Sequence, residues 1–269
     1  MPPTRLPASS PGAVNARRTK HRTYFRAHET HHLHRYPRQL AGYLQAVLGV
    51  AAREGYDEII HTGDALCIGP QPSECLDLLL RTPRLTCLMG NHDYYFAHGI
   101  PTPPPAWMSL PELQHKQWTY AQISPTLRRD VAAWQWTAHR EVAGERLAFL
   151  HYALRRNGIG FRRIIHQPTA DELDRLFEGV QGEVVFYGHH HPSDDQRGRA
   201  RYINPGSLGC HRHAVARFAV AEAVGGTCRI TLRQVPYDDT SLFQAFGQRN
   251  IPEAAFMQKV FFGGRNGGG

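Results

Sequence analysis

The chain has no run of about eighteen or more apolar residues, the length a spanning helix needs, so no membrane segment is expected. It has no C-x-x-C spacing, and its five cysteines, Cys67, Cys75, Cys87, Cys210 and Cys228, are odd in number. That pattern argues against a zinc ribbon or a disulfide framework and suits a reducing cytoplasm, each cysteine reading as a small buried apolar residue. No internal repeat or second set of motifs divides the 269 residues, so one domain is expected. A basic face is missing too. The net charge is +8, but Arg5, Arg17, Arg18, Lys20, Arg22, Arg26, Arg35 and Arg38 stand against Glu29 alone in residues 1–40. The rest of the chain is nearly neutral, which disfavours nucleic acid as a partner. The leader is Arg-rich and acid-poor but lacks the apolar core of a secretory signal.

Three glycine-led clusters are present: Gly63-Asp64, Gly90-Asn91-His92-Asp93 and Gly188-His189-His190-His191. Each follows a short apolar run that reads as a buried strand, so each falls at a strand's C-terminal edge. Carboxylate, amide and imidazole without sulfur are donors for Mn, Fe or Zn rather than for a structural zinc.

Residues 1–39 show no steady period and read as an atypical leader; 40–262 read as the domain, and 263–269 as a flexible Gly-rich tail. Leu40–Glu54 has the spacing of an amphipathic helix, and Glu58–His61 is a short strand. Ser73 can cap a helix through Leu80, and Leu85–Met89 is the next strand. From about 95 to 145 a helical insert is expected, with helices near Leu113–Gln122 and Thr126–Ala138. Its Trp107, Trp118, Trp134 and Trp136 read as packing residues. Leu147–Leu150 delivers His151, Thr169 caps Asp171–Phe177, and Val184–Tyr187 delivers the triple histidine. Ala214–Ala221 and Cys228–Val235 alternate as a hairpin in a second sheet.

His61-Thr-Gly-Asp64 with Ile68-Gly-Pro70, Gly90-Asn-His-Asp93, Phe149-Leu-His151, Tyr187-Gly-His-His-His191 and Asn204-Pro-Gly-Ser-Leu-Gly209 stand in one order over about two thirds of the chain. This set resembles the calcineurin-like metallophosphoesterase superfamily, in particular its small bacterial phosphodiesterase branch. The resemblance implies a four-layer α/β/β/α sandwich, two mixed sheets flanked by helices. It implies a phosphomonoester or phosphodiester, small molecule or nucleotide, hydrolysed by metal-bound hydroxide at two divalent ions, with Mn foremost and Fe, Zn or Ni as others. Asp64 would bridge the ions. Asn91, His151 and His189 would complete one shell, and His191 would join Asp64 on the other. In an extended segment His189 and His191 project to one side and His190 to the other. His92 would be general acid and phosphate stabiliser, with Asp93 holding its imidazole. His61, His190, His211 and His213 read as structural. Tyr152 stands where the family usually has Gly.

The family's opening Asp-x-His block, which supplies two ligands to the first ion, is missing. Tyr36, Pro37 and Arg38 occupy its place, and no apolar strand precedes them. Yet Arg35–Leu40 can be encoded CGA TAT CCA CGG CAA CTT, which one nucleotide later reads Asp-Ile-His-Gly-Asn. Upstream, His28 as CAT before Glu29 supplies an ATG in that frame, and the intervening bases can read Met-Arg-Leu-Ile-Ile-Ser-Thr. We therefore expect residues 1 to about 42 to be an out-of-frame leader. In the chain as written, one ion alone could be held. A metal-binding pseudoenzyme acting as an interaction module is the alternative function.

Overall fold

The computed structural model describes residues 42–106 and 108–265; the leader, Trp107 and residues 266–269 lie outside them. Helix α1 (Gly42–Glu54) leads into strand β1 (Ile59–His61), and α2 (Pro72–Arg81) into β2 (Leu85–Cys87). β1 and β2 pair in parallel, Ile59 opposite Leu85 and His61 opposite Cys87. α2 starts one residue before the expected cap. Pro72 sits in its first turn, where a missing N–H costs nothing, and Ser73 lies inside the helix. α3 (Asn91–His98) begins directly after the second strand's loop, and α4 (Leu110–Ala121) follows with a Ser109–Glu112 capping box.

The expected insert is only partly helical. After α4 come a 3-10 turn at Pro125–Leu127 and the short α5 (Arg128–Ala132); Thr137–Val142 is then a strand, β3, not a helix end. Ala138 and Val142 are buried on it, and Ala143 and Gly144, both at positive φ, turn it directly into β4 (Glu145–Leu150). Trp134 packs with Phe96 and Val131, Trp136 against Tyr94 and Phe161, and Trp118 beside Phe243.

α6 (Ala170–Leu176) carries the expected Thr169 cap, closed into a box by Glu172. β5 (Val184–Phe186), β6 (Asp194–Arg197) and β7 (Arg201–Asn204) complete a five-stranded sheet in the order β3-β4-β5-β7-β6. β4, β5 and β7 run parallel, and the two edge strands run antiparallel to their neighbours. Alternation along the strands divides the core. Leu150, Val185 and Tyr202 meet Leu173 and Phe177 near α6, whereas Leu147, Phe186 and Ile203 face the other way. That second face meets Ala219, Ala221 and Ile230 of a hairpin, β8 (Val215–Val224) and β9 (Thr227–Pro236). The hairpin turns through Gly225 and Gly226 at positive φ, and its other face puts Val220 against Val50 and Ala51 of α1.

Helices α7 (Thr240–Gln248) and α8 (Ala254–Phe261), which the sequence reading did not single out, close the chain through Leu242, Phe246 and Met257. Gly263–Arg265, expected as part of a flexible tail, is tied down: Arg265 ion-pairs with Asp239 and donates to the carbonyl of His211. Among the described residues no helix is long and apolar enough to cross a membrane.

Candidate metal centre

Parallel pairing carries the chemistry-bearing loops to one place. The segments that follow β1 and β2 carry Asp64 and Asn91, and those that follow β4 and β5 carry His151 and His189. The two pairs of loops interlock through Gly63 and Gly90. A Cβ on Gly63 would lie 2.7 Å from the Gly90 nitrogen and 2.9 Å from His151 Nδ1. A Cβ on Gly90 would lie 2.2 Å from the Asp64 nitrogen. Neither position has room for a side chain.

Asp64 is the hub. Its Oδ1 accepts from the His92 backbone N–H at 3.0 Å, and its Oδ2 lies 3.2 Å from His151 Nε2, 3.8 Å from His92 Nε2 and 3.9 Å from His189 Nδ1. His151 Nε2 and His189 Nδ1 are 3.0 Å apart, and His151 Nδ1 is fixed by the Thr62 carbonyl at 2.8 Å. If His151 donates there, Nε2 is its free lone pair. Asp64, His151 and His189 thus offer ligand atoms within 4.8 Å of one another.

Two buried polar atoms at the same place have no protein partner: Asn91 Oδ1 and His92 Nδ1. Buried amide oxygens are nearly always satisfied, so an orphaned one beside a carboxylate and two imidazoles fits a cation. Burial opposes the charge on Asp64, but His151 and His92 hold its carboxyl well below the usual range. Burial also opposes a proton on His151, and Asp64 reverses this and raises it. His92 is pushed down to about 3 by burial, against the pull of Asp64 and with the push of Lys116.

Asp93 does not hold the His92 ring. Its carboxylate accepts from three backbone N–H groups, Asp64 at 2.7 Å, Gly90 at 3.0 Å and Leu66 at 3.2 Å. At the third position of α3 it caps that helix, so its side chain turns back toward Gly90. It is fully buried; burial and then the Asp64 charge push it up to about 7, against those amides. Its place is to lock the Asp64 loop onto the Gly90 loop.

The triple histidine is not extended. His189 has φ +65°, and the His190 N–H donates to the Gly188 carbonyl at 2.7 Å, a three-residue turn centred on His189. The turn, not strand alternation, aims His189 inward. His190 packs edge-on to His166, and His191 stands against Phe261, half-buried and outside the close cluster. Tyr152 does not crowd the site. It is buried beneath His189 at 5.2 Å, with its hydroxyl accepting from the Ile165 N–H. His61 is half-buried; desolvation of its ring pushes it down to about 4, and its Nδ1 accepts from the Gly63 N–H.

Two supports, Tyr120 and Lys116, escaped the sequence reading, and a third, Asn204, was read only as part of the Asn-Pro-Gly-Ser-Leu-Gly block. Asn204, 1% exposed, donates from Nδ2 to the His190 carbonyl and fixes the histidine turn; its Asn-Pro-Gly spacing was the available signal. Tyr120 donates to the His92 carbonyl at 2.9 Å. Lys116, one turn earlier on α4 and 4% exposed, adds its charge to the burial that lowers His92 and opposes the burial that pushes Cys67 up to about 12.

Comparisons with known proteins place this geometry. The structure resembles the hypothetical protein PH1004 from Pyrococcus horikoshii OT3 with a TM-score of 0.65 at 16% identity, over 83% of this chain and 94% of that one. A metallophosphoesterase from Sphaerobacter thermophilus gives a TM-score of 0.56 at 21% identity, over 79% of this chain and 90% of the other. These likenesses show the fold. Curated proteins gave no match. The family model for the calcineurin-like phosphoesterase superfamily domain matches residues 29–226, most of the chain and all five motif blocks. With its glycine-led loops converging on Asp64, the chain belongs to the calcineurin-like phosphoesterase superfamily.

Proposed function

We propose that this protein is a metal-dependent phosphoesterase that hydrolyses a small phosphoester or nucleotide, with its centre on Asp64. The observation that carries the reading is the convergence of Asp64 Oδ2, His151 Nε2 and His189 Nδ1 beside the unpartnered Asn91 Oδ1. In this reading these four residues would hold one divalent ion, and in the chain as written only Asp64 and His191 would remain for a second. The oxygen and nitrogen donors suit Mn first, then Fe, Zn or Ni. When bound, such ions supply Lewis-acid neutralisation of the phosphoryl oxygens and a water made acidic enough to attack at neutral pH.

The chain's own groups do the rest. The Thr62 carbonyl fixes the ring of His151, and Asp93 fixes the Asp64 loop through three amides, so the donors are preorganised. His92 turns Nε2 toward the same carboxylate, and its other ring nitrogen, the buried Nδ1, has no protein partner. At a pKa of about 3 its ring is neutral at pH 7, so it enters as a hydrogen-bond donor to a phosphoryl or leaving-group oxygen. A bound phosphate's negative charge raises that pKa, so the ring can take a second proton from solvent and pass it to the departing oxygen. Lys116 adds positive charge on the His92 side. The described cysteines are all free thiols, which supports a cytoplasmic setting.

Hydrolysis of bis-p-nitrophenyl phosphate in Mn, compared in wild type and His92→Ala, tests the reading. Activity that needs Mn and falls in the variant supports it. Bound metal with no turnover on a phosphoester panel would instead favour an interaction module.

A further inference from the structure

The described sheets leave a strand-shaped gap. β1 is bonded to β2 alone and β8 to β9 alone among the described residues. A cavity of about 280 Å³ is lined by Ile60 of β1 and Val220 of β8, with Leu48 of α1 on one side and Phe149 and Phe186 of the five-stranded sheet on the other. At one end it opens on Asp64 and His191. Strand edges carry N–H and C=O groups that must be paired when buried, and an apolar void forfeits contacts on every wall. Such a place fits one more strand.

The chain's path says where that strand comes from and how it runs. α1 lines the cavity and continues directly into β1. A strand entering α1 from the cavity would complete a β-α-β crossover, whose two strands are parallel. Parallel to β1, its C-terminal end falls beside Gly63-Asp64, at the polar end of the cavity.

The residues written before α1 do not suit a lane buried on both faces. Arg35 and Arg38 bring charge, and Pro37 lacks an N–H. The same codons shifted by one nucleotide can give Leu-Ile-Ile-Ser-Thr followed by Asp-Ile-His-Gly-Asn: an apolar strand and then two ligating side chains.

We propose that the cavity between β1 and β8 holds a strand of this protein encoded one nucleotide out of the written frame across His28–Leu40. It inserts between the two pairs to give one continuous sheet in the order β2, β1, new strand, β8, β9, with its Asp and His ending beside Asp64. This deepens the metal reading but is tested without turnover, so an inactive protein with a filled gap would fail the functional reading alone.

Two measurements decide it. Peptide mass spectrometry of the protein from its native source is expected to find Ile-Ile-Ser-Thr-Asp-Ile-His. Recovery of the written-frame Arg35–Leu40 peptide without that counterpart overturns the proposal. Hydrogen exchange is then compared between the shifted-frame and written-frame proteins. At least tenfold slower exchange is expected at Ile59–His61 and along β8 in the shifted form, removed when Pro replaces the second Ile of the new strand. Folding of the shifted chain alone supports the proposal equally. Equal exchange in two folded proteins, or protection that survives the Pro substitution, overturns it.

Discussion

The five-stranded sheet and the β1–β2 pair bring ligands to the same point with unequal support. β5 is paired on both edges and buried on both faces, so His189 leaves from a strand that has no freedom to shift. Asp64 leaves from a three-residue strand with one partner among the described residues, and its position depends on loop contacts: the three amides on Asp93 and the touching backbones of Gly63 and Gly90. A sheet can fix a ligand by its interior. Where the sheet is incomplete, hydrogen bonds at the site must do so, and those are the contacts whose loss should be felt most.

The largest expected effect lies on the loop-held half. His92→Ala should lower kcat about 10²- to 10⁴-fold, as removal of a positioned proton donor does, while the melting curve stays in place. Gly90→Ala comes next. Its methyl collides with the Asp64 backbone, and we expect a loss of about 2–4 kcal/mol in urea unfolding. Gly188→Ala on the sheet-held half meets the Thr62 hydroxyl at 3.1 Å and touches His151 only at ordinary contact distances, so it should cost under about 1 kcal/mol. Equal losses would erase the contrast between the halves.

A smaller effect is expected where the halves are tied together. Arg140 of β3 holds Glu58 beside β1, and Thr86 donates to the same carboxylate. Burial pushes Glu58 up, but these hydrogen bonds outweigh it and leave its pKa lowered. A depressed carboxylate contributes stability above its unfolded pKa and loses it as pH falls through the folded one. Glu58→Gln should therefore cost about 1–2 kcal/mol at pH 7. The gap to wild type should close in acid, which parallel thermal melts between pH 7 and pH 3 would check. The smallest effect belongs to Lys116→Met: about a fivefold rise in KM with kcat nearly kept, if its charge serves phosphate binding alone.

The contrast also explains which parts of the molecule were legible in the sequence. Short apolar runs ending in Gly-Asp, Gly-Asn and Gly-His mark buried strands and their loops, so β1, β2, β4, β5 and the residues around Asp64 could be read directly. The Thr169 cap was equally plain because its box is local. What could not be read were contacts set by three-dimensional approach. Asp93 follows His92 in sequence, yet a helix start turns it back onto backbone amides. His189 and His191 alternate in sequence, yet a turn at positive φ separates them. The helix expected over Thr126–Ala138 runs two residues into β3, and the rest of Thr137–Val142 was given no element because it mixes Ala, Arg and Glu; pairing with β4 makes it a strand.

The central claim is that Asp64 organises a divalent-metal centre for phosphoester hydrolysis. Its most direct test is Mn binding by titration calorimetry, with bis-p-nitrophenyl phosphate turnover on the same samples, for wild type and Asp64→Asn. Wild type should bind Mn and turn over, and the variant should lose both while keeping its circular dichroism spectrum. Turnover that survives metal chelation, or a variant that binds and hydrolyses as wild type does, would contradict the account.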